Sequence, residues 1–304
     1  MKVTVLYGGP SAERQVSLIS GQAVMDGLRA AGHEVHGSDV SPTDLRGLDY
    51  PCDVVFPALH GQFGESGELQ EILERRGMSF VGSGSVASRL GMDKVQAKRA
   101  WENLKLPTPA YEVLTGGAPA RITTPCVVKP IDSGSSIDVY ICRGDGEAED
   151  ASHRVVTKHG RALVEQYIKG VEVTVAVLEE RALSPIRITT NHEFFDYTAK
   201  YVGNDAQHHF DLGLPHALVR QLQEIALRAH DALGCRDLSR IDFIIDERHR
   251  PWLLELNTMP GFTPKSLLPE AAAHDGIAFP QLVDRLVCRA YKRASLPSPK
   301  RNVA

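Results

Sequence analysis

The chain reads RIDFIIDERHRPWLLELN from residue 240 to residue 257. Polar and apolar side chains alternate at both ends of this stretch and a charged turn separates them, a pattern that indicates two antiparallel strands joined as a hairpin. Alternation places Arg240 and Asp242 on one face of the first strand, and Glu255 and Asn257 on one face of the second. If the strands pair across the turn, two carboxylates, an amide and a guanidinium converge.

This group of side chains is suited to a metal site. Carboxylate and amide oxygens are hard ligands, and Mg²⁺ is commonly held by one or two carboxylates together with substrate phosphates. An arginine beside them would face the oxygens of a phosphate in transfer. The alternative is a solvated hairpin face with ordinary ion pairs, because any half-exposed antiparallel strand alternates in this way.

Outward from the hairpin, the start of the chain alternates strands and helices. An apolar run at 3–7 leads into a glycine turn, a helical stripe at 16–28 and a second apolar run at 54–56. This alternation predicts an α/β fold with a parallel sheet. The middle third is typical of an α+β module, with short strands that include one at 137–142 and a charged helix near 147–158.

Shifts in this pattern divide the chain into three predicted domains. An N-terminal α/β domain covers 1–90, a central subdomain covers 91–168, and a C-terminal domain that carries the hairpin covers 169–304. A length of 304 residues also favours two or three domains over one.

Composition excludes several classes of protein. The chain has 34 Lys and Arg against 38 Asp and Glu, a net charge of −4, so nothing favours a nucleic-acid partner. No apolar run reaches the roughly 18 residues of a membrane span, and the N-terminus resembles no secretory signal, so we expect a cytoplasmic protein. The five cysteines are scattered without a CxxC pair, which indicates reduced thiols.

Two lysines are candidates for phosphate binding. Lys129 ends an apolar strand and precedes the small, hydroxyl-rich loop that contains Ser135 and Ser136. Such a loop can place an ammonium and backbone N–H groups around phosphate oxygens, although a plain polar turn is the alternative. Lys94 begins a predicted helix, where an exposed lysine is the alternative.

Three further positions could bind a charged substrate. Gly261 offers a bare N–H at a turn, suited to an oxyanion. Ser266 precedes a helix that begins near Leu267, and a helix N-terminus attracts a carboxylate. Glu13, at the first βα junction, could hold an ammonium. Each also has a structural interpretation as a loop, a helix cap or a favourable helix charge.

These motifs stand together in one order, and in this order the sequence resembles the D-alanine-D-alanine ligases of the ATP-grasp superfamily. The resemblance covers nearly the whole chain. It rests on GGPSAER at 8–14, LHG at 59–61, GMDK at 91–94, VKP at 128–130, GSS at 134–136, DYTAKY at 196–201, RID at 240–242, ELNT at 255–258 and PG at 260–261.

The resemblance implies a three-domain ATP-grasp fold, with a Rossmann-like N-terminal sheet and nucleotide held between the central and C-terminal domains. It implies an ATP-dependent ligase that joins two D-alanine molecules through an acylphosphate, for peptidoglycan precursor synthesis. ATP and two Mg²⁺ ions, with Mn²⁺ as a substitute, are the implied cofactors. It also implies a homodimer, with no nucleic-acid or membrane partner.

The resemblance assigns roles residue by residue. Metal binding falls to Asp242, Glu255 and Asn257. Nucleotide binding falls to Lys94, Lys129, Ser136, Glu165, Glu172 and Lys200. Catalytic roles fall to Glu13, Ser135, Tyr201, Arg240 and Gly261. Substrate binding falls to Glu13, His60, Arg240, Gly261, Ser266 and Leu267.

The sequence departs from the family pattern at three single positions and in the loop at 207–212, which lacks a Cys-Pro-Ala-like run. Ser133 stands in place of an acidic residue, Asp138 in place of a glycine and Lys265 in place of a common histidine. Two alternatives stay open: an ATP-grasp ligase with another second substrate such as D-lactate, which Tyr201 disfavours, and a catalytically weak nucleotide-binding regulator.

Overall fold

The computed structural model describes residues 1–116, 120–190 and 206–295, which divide into two compact units. Unit 1 comprises Met1–Ser85, Arg236–Leu238 and the described residues from Met259 onward. Unit 2 comprises the described residues of Val86–Cys235, together with Ser239–Thr258. No described helix is both long and apolar enough to cross a bilayer.

The described helices and strands are named in chain order. The helices are α1 (Arg14–Ala30), α2 (Gly61–Glu65), α3 (Glu68–Arg75), α4 (Ser85–Met92), α5 (Lys94–Asn103), α6 (Asp145–His159), α7 (His216–Ala232), α8 (Leu267–His274) and α9 (Phe279–Ser295). The strands are β1 (Lys2–Gly8), β2 (Glu34–Val40), β3 (Val54–Pro57), β4 (Tyr111–Leu114), β5 (Cys126–Pro130), β6 (Tyr140–Cys142), β7 (Ala162–Gln166), β8 (Gly170–Leu178), β9 (Arg181–Ala182), β10 (Ile186–Thr189), β11 (Gln207–His209), β12 (Leu238–Asp246) and β13 (Pro251–Asn257).

Unit 1 is built on a parallel sheet in the order β2-β1-β3. Its central strand β1 is buried over Val3, Val5 and Leu6, because helices cover a parallel sheet and leave little of it in water. Helix α1 runs back between β1 and β2, and Gly32 follows it with a φ of +86°, a conformation that glycine adopts without strain. The α/β fold with a parallel N-terminal sheet is confirmed.

Unit 2 contains two antiparallel sheets among its described residues. The first has the order β4-β7-β5-β6 and packs against α6. The second has the order β11-β10-β8-β12-β13, with β9 on β8, and shares a core with α5 and α7. Trp101 on α5 and Phe243 on β12 are fully buried in that core, so α5 is fixed against the sheet that carries the hairpin.

The predicted strand at 137–142 is wrong in its first half, since β6 begins only at Tyr140. Ser135, Ser136 and Asp138 have φ values of +53°, +55° and +57°, which belong to the left-handed region and not to an extended strand. The residues between β5 and β6 therefore form a longer loop than the sequence indicated.

Candidate functional site

Unit 2 contains a cavity of about 320 Å³ that gathers most of the predicted nucleotide and metal residues. Strands of both sheets and the start of α5 contribute to its wall. The predicted residues in the wall are Lys94, Lys129, Ser136, Glu165, Glu172, Asp242 and Glu255. Lys94 and Glu255, which are 161 residues apart in sequence, thus lie in one concave surface. Concavity with converging charges is typical of a ligand site.

The hairpin forms as the sequence predicts. Strands β12 and β13 are antiparallel, with Asp242 opposite Glu255 and Arg240 opposite Asn257. The Arg240 guanidinium donates from Nε to Asp242 Oδ1 at 2.9 Å and from Nη2 to Oδ2 at 2.7 Å. Thr174 on β8 donates its hydroxyl to Asp242 Oδ1 at 2.6 Å. Two neighbours therefore fix the Asp242 carboxylate at the cavity wall.

The oxygen donors of the hairpin fit a hard divalent cation. Asp242 and Glu255 supply two carboxylates on directly paired positions, and Asn257 supplies an amide two residues further along β13. Mg²⁺ requires no more than one or two carboxylates when substrate phosphates complete its shell. Within the described ranges no cluster of three or more His, Cys, Asp and Glu side chains is arranged to hold a metal by itself. The donors thus suit a cation that arrives with a phosphate.

Lys94 is fixed beside these carboxylates. Its Nζ donates to the backbone oxygen of Ser133 at 2.6 Å and lies 3.7 Å from Glu255 Oε2. Burial lowers the pKa of the Lys94 ammonium, while the Glu255 carboxylate acts in the opposite direction. The exposed helix lysine that the sequence left open is excluded, because Lys94 is buried.

Glu165 is the centre of a buried ion cluster. Its Oε2 lies 2.5 Å from Lys129 Nζ and its Oε1 lies 2.6 Å from Lys98 Nζ. Burial alone would raise the pKa of the Glu165 carboxyl, but the ammonium groups of Lys129 and Lys98 hold it well below its usual value. Two lysines thus engage the Glu165 carboxylate, one at each oxygen.

Lys98 is a site residue that the motifs did not reveal. It follows Lys94 by one helical turn and shares its helix face with the fully buried Trp101. The available signal was the i, i+3 spacing of Lys98 and Trp101. Residues at that spacing lie on one helix face, so the lysine lies on the buried face of the helix.

The loop between β5 and β6 carries two of the departures from the family pattern. Asp138 Oδ2 accepts hydrogen bonds at 2.7 Å from both Lys158 Nζ and His159 Nε2 at the end of α6. These two partners lower the pKa of the Asp138 carboxyl. The charge that Asp138 adds to the loop is therefore balanced by α6, while Ser133 contributes a backbone oxygen to Lys94.

Unit 1 holds the predicted residues for an ammonium group. Glu13 is the N-cap residue of α1, and Gly61 lies close to it: a Cβ on Gly61 would be 2.7 Å from Ser11 Cβ and 3.5 Å from Glu13 Oε2. His60 is buried and its Nδ1 lies 3.1 Å from Glu65 Oε1. Burial raises the pKa of the Glu65 carboxyl, and the charge of Glu13 raises it further.

Unit 1 also holds the predicted carboxylate-binding turn. Ser266 is the N-cap residue of α8, and Leu267 is the first residue of that helix, as predicted. The Ser266 hydroxyl oxygen accepts a hydrogen bond from the Thr263 N–H at 2.9 Å. A Cβ on Gly261 would lie 2.8 Å from Ser266 Oγ, so only glycine allows the turn to pack so closely. Lys200 and Tyr201 lie outside the described residues.

Comparison with known proteins decides the family. Two family models match: the D-ala D-ala ligase N-terminus over residues 33–83 and the D-ala D-ala ligase C-terminus over residues 101–288. A D-alanine--D-alanine ligase of Anaeromyxobacter sp. is 42% identical over 96% of this chain and 98% of its own. The chain belongs to the D-alanine-D-alanine ligase family.

Solved structures of this ligase family share the whole fold. The Bacillus anthracis D-alanine--D-alanine ligase has a TM-score of 0.85 at 29% identity, over 97% of this chain and 99% of that one. A second structure of that protein, complexed with ATP, has a TM-score of 0.84 at 28% identity with the same coverage. The resemblance and the fold class inferred from the motifs are confirmed, and the ligase assignment holds over the alternatives.

Proposed function

We propose that the chain joins two D-alanine molecules at the expense of ATP. The carboxylate of the first D-alanine attacks the γ-phosphorus of ATP, which gives an acylphosphate and ADP. The amine of the second D-alanine then attacks the acyl carbon, and the C–O bond to phosphate breaks as inorganic phosphate leaves and the amine loses a proton. Activation is required because a carboxylate is a poor electrophile until its oxygen belongs to a phosphate leaving group.

The cavity of unit 2 carries this proposal. It combines the ammonium groups of Lys94 and Lys129 with the carboxylates of Asp242 and Glu255. Both lysines are buried, and ammonium groups with little exposure to water attract phosphate oxygens more strongly than they would in bulk water. Ser136 in the wall lies in a loop with left-handed residues, where backbone N–H groups can turn towards phosphate. Glu165 and Glu172, also in the wall, are assigned to adenine and ribose.

Asp242, Glu255 and Asn257 would hold Mg²⁺, since their oxygens fit its chemistry. When bound, Mg²⁺ or Mn²⁺ supplies positive charge that offsets the charge on transferring phosphate oxygens. The protein's own contribution is to orient these donors: Arg240 and Thr174 hold the Asp242 carboxylate in place through three hydrogen bonds.

The residues of unit 1 recognise the amino acids in this proposal. Glu13 takes the ammonium of the first D-alanine, next to His60 and Glu65. Ser266 and the Leu267 N–H take the carboxylate of the second at the start of α8. The family resemblance further assigns the Gly261 N–H and Arg240 to negative charge on the acyl oxygen, and Ser135 and Tyr201 to support of the first D-alanine.

Several features of the proposal come from the sequence or from the family resemblance. The three domains at 1–90, 91–168 and 169–304, a homodimer, a cytoplasmic location and a role in peptidoglycan precursor synthesis belong to the proposal, as does nucleotide binding by Lys200. Light scattering of the purified protein gives a mass of two chains if the dimer is present.

One assay tests the reaction. Purified protein with ATP, Mg²⁺ and D-alanine should release phosphate only when D-alanine is present, and mass spectrometry should identify D-alanyl-D-alanine. A product that contains D-lactate when both partners are supplied would contradict the proposed second substrate. ATP binding without phosphate release under saturating D-alanine would favour the nucleotide-binding regulator.

A further inference from the structure

A fully buried lysine lies behind the cavity of unit 2 and does not line its wall. Lys98 has an exposed fraction of 0%, and it is absent from the cavity wall, which Lys129 and Glu165 do reach. Its Nζ lies 2.6 Å from Glu165 Oε1 and donates to the Thr108 hydroxyl at 2.5 Å. An ammonium is costly to bury unless it is paired, so its presence calls for a physical reason.

Neutralisation of Glu165 does not require Lys98. Lys129 already lies 2.5 Å from the other oxygen of the same carboxylate. A pair of Lys129 and Glu165 alone would be neutral, and the Lys129 ammonium would offer little net attraction to an anion in the cavity. The ammonium of Lys98 changes the net charge of the cluster, because two lysines and one carboxylate together carry one positive unit.

The contacts of Lys98 also tie the cluster to the hairpin. Thr108, which accepts from Lys98 Nζ, donates its own hydroxyl to the backbone oxygen of Leu253 at 2.9 Å. Leu253 lies on β13, two residues before Glu255 in the cavity wall. Lys98 is therefore linked at once to β7, through Glu165, and to β13.

We propose that Lys98 is a positioning residue for nucleotide phosphates: it shares the Glu165 carboxylate with Lys129, so that the Lys129 ammonium stays in place and the cluster stays net positive. The inference rests on the proposed function, since it requires that this cavity binds ATP. Its effect acts through Glu165 and Lys129 and must grow with the number of phosphates on the ligand.

Calorimetric titration of the full chain with adenosine, ADP and ATP, with Mg²⁺ and without D-alanine, tests the inference. Lys98→Met keeps the apolar stem and removes the charge. We expect this variant to lower the affinity for ATP about tenfold, as the loss of about one charge interaction in a partly buried site predicts. It should lower the affinity for adenosine less than twofold. The effect on ADP should fall between these two.

Two further variants serve as controls. Arg99→Met removes one positive charge from the exposed next residue of the same helix, and it should change all three affinities less than twofold. Lys98→Arg keeps the charge and should retain a tighter ATP affinity than Lys98→Met.

A charge-restoring double variant decides the outcome even if Lys98→Met folds poorly. Lys98→Met with Glu165→Gln leaves Lys129 as the single charge of the cluster, which returns the net charge to one positive unit and removes two buried charges. We expect it to bind ATP at least about threefold more tightly than Lys98→Met does. A double variant at least as weak as Lys98→Met, or equal losses for adenosine and ATP, would overturn the inference. Both results leave the proposed function intact, whereas a wild type that binds no ATP overturns the two together.

Discussion

Two largely buried glutamates, one in each unit, have opposite electrostatic environments. The side chain of Glu165 is 3% exposed and that of Glu65 is 12% exposed. Lys129 and Lys98 flank Glu165 and lower the pKa of its carboxyl in spite of burial. Burial raises the pKa of Glu65, His60 offsets this only in part, and the charge of Glu13 adds to the increase.

The comparison shows that the neighbours, and not the residue type, set the charge of a buried carboxyl. In unit 2 the carboxylate is a counter-ion that keeps lysines in a cavity suited to phosphates. In unit 1 the carboxyl groups of Glu13 and Glu65 gather near the His60 imidazole, and carboxyl groups suit an ammonium from a substrate. The surroundings of the two glutamates thus suit opposite charges, a phosphate near Glu165 and an ammonium near Glu65.

The largest effect we expect is on stability and separates the two glutamates directly. Glu165→Gln leaves two ammonium groups without their shared carboxylate and should lower the free energy of unfolding by about 3 kcal/mol. Glu65→Gln, the matched change in unit 1, keeps a hydrogen bond to His60 and should lower it by less than about 1 kcal/mol, or raise it. Urea denaturation at pH 7 measures both. Equal losses of unfolding free energy in the two variants would contradict the difference between the two environments.

The Glu255 carboxylate of unit 2 should be needed for catalysis and not for folding, unlike that of Glu165. The Glu255 side chain is 33% exposed at the cavity wall, so its loss should hardly affect folding. Glu255→Gln should reduce turnover by about 100-fold or more, as the loss of a charged group at a reacting phosphate does. Steady-state rates at limiting and saturating Mg²⁺ measure this. Near-normal turnover at limiting Mg²⁺ would count against the metal assignment.

The pH dependence of stability should have opposite signs for the two glutamates. Glu65 has a raised pKa in the folded state, so the folded protein binds the proton more tightly and stability falls as pH rises above the ordinary glutamate value. Glu165 has a lowered pKa, so its contribution is present above that value and is lost as pH falls.

Denaturation of the wild type and Glu65→Gln from pH 5 to pH 8 measures whether the Glu65 charge lowers stability as pH rises. The variant should gain stability relative to the wild type as pH rises across this range. A difference that shrinks with pH would show that burial does not penalise the Glu65 charge.

The smallest effect we expect tests whether the loop of unit 2 disturbs the cavity. Asn tolerates the left-handed conformation of residue 138, so Asp138→Asn removes the charge and preserves the backbone. Its partner Lys158 is largely exposed, and pairs of this kind contribute little. The melting temperature should fall by about 2 °C and ATP affinity should change less than about twofold. A large loss of ATP affinity would mean that the Asp138 charge acts on the cavity.

Sequence alternation sufficed to predict the hairpin and its facing side chains. Asp242 and Glu255 had to share a face once β12 and β13 paired, because the period of a strand is two. The N-terminal parallel sheet followed from the same kind of pattern. The motifs also identified Lys94, Lys129 and Glu172, which the fold brings to one cavity.

Other features depend on tertiary contacts that no local pattern encodes. Nothing in the residues around Lys98 shows that Glu165, 67 positions later, will meet it, and the motif roles did not indicate that the Glu165 carboxylate would bind two lysines. Glu65 was missed for the same reason, since its environment depends on His60 and Glu13. Residues 137–139 are predicted as strand although β6 begins at Tyr140, because their side chains are compatible with both strand and loop.

Steady-state kinetics of one variant in each unit tests the division of charge most directly. Glu13→Gln should raise the KM for D-alanine about tenfold or more and leave the KM for ATP within twofold, because a charged hydrogen bond is lost only at the ammonium. Lys129→Met should do the reverse. This crossed pattern is the predicted result; variants that each raise both KM values alike, or that raise the opposite one, would contradict the account.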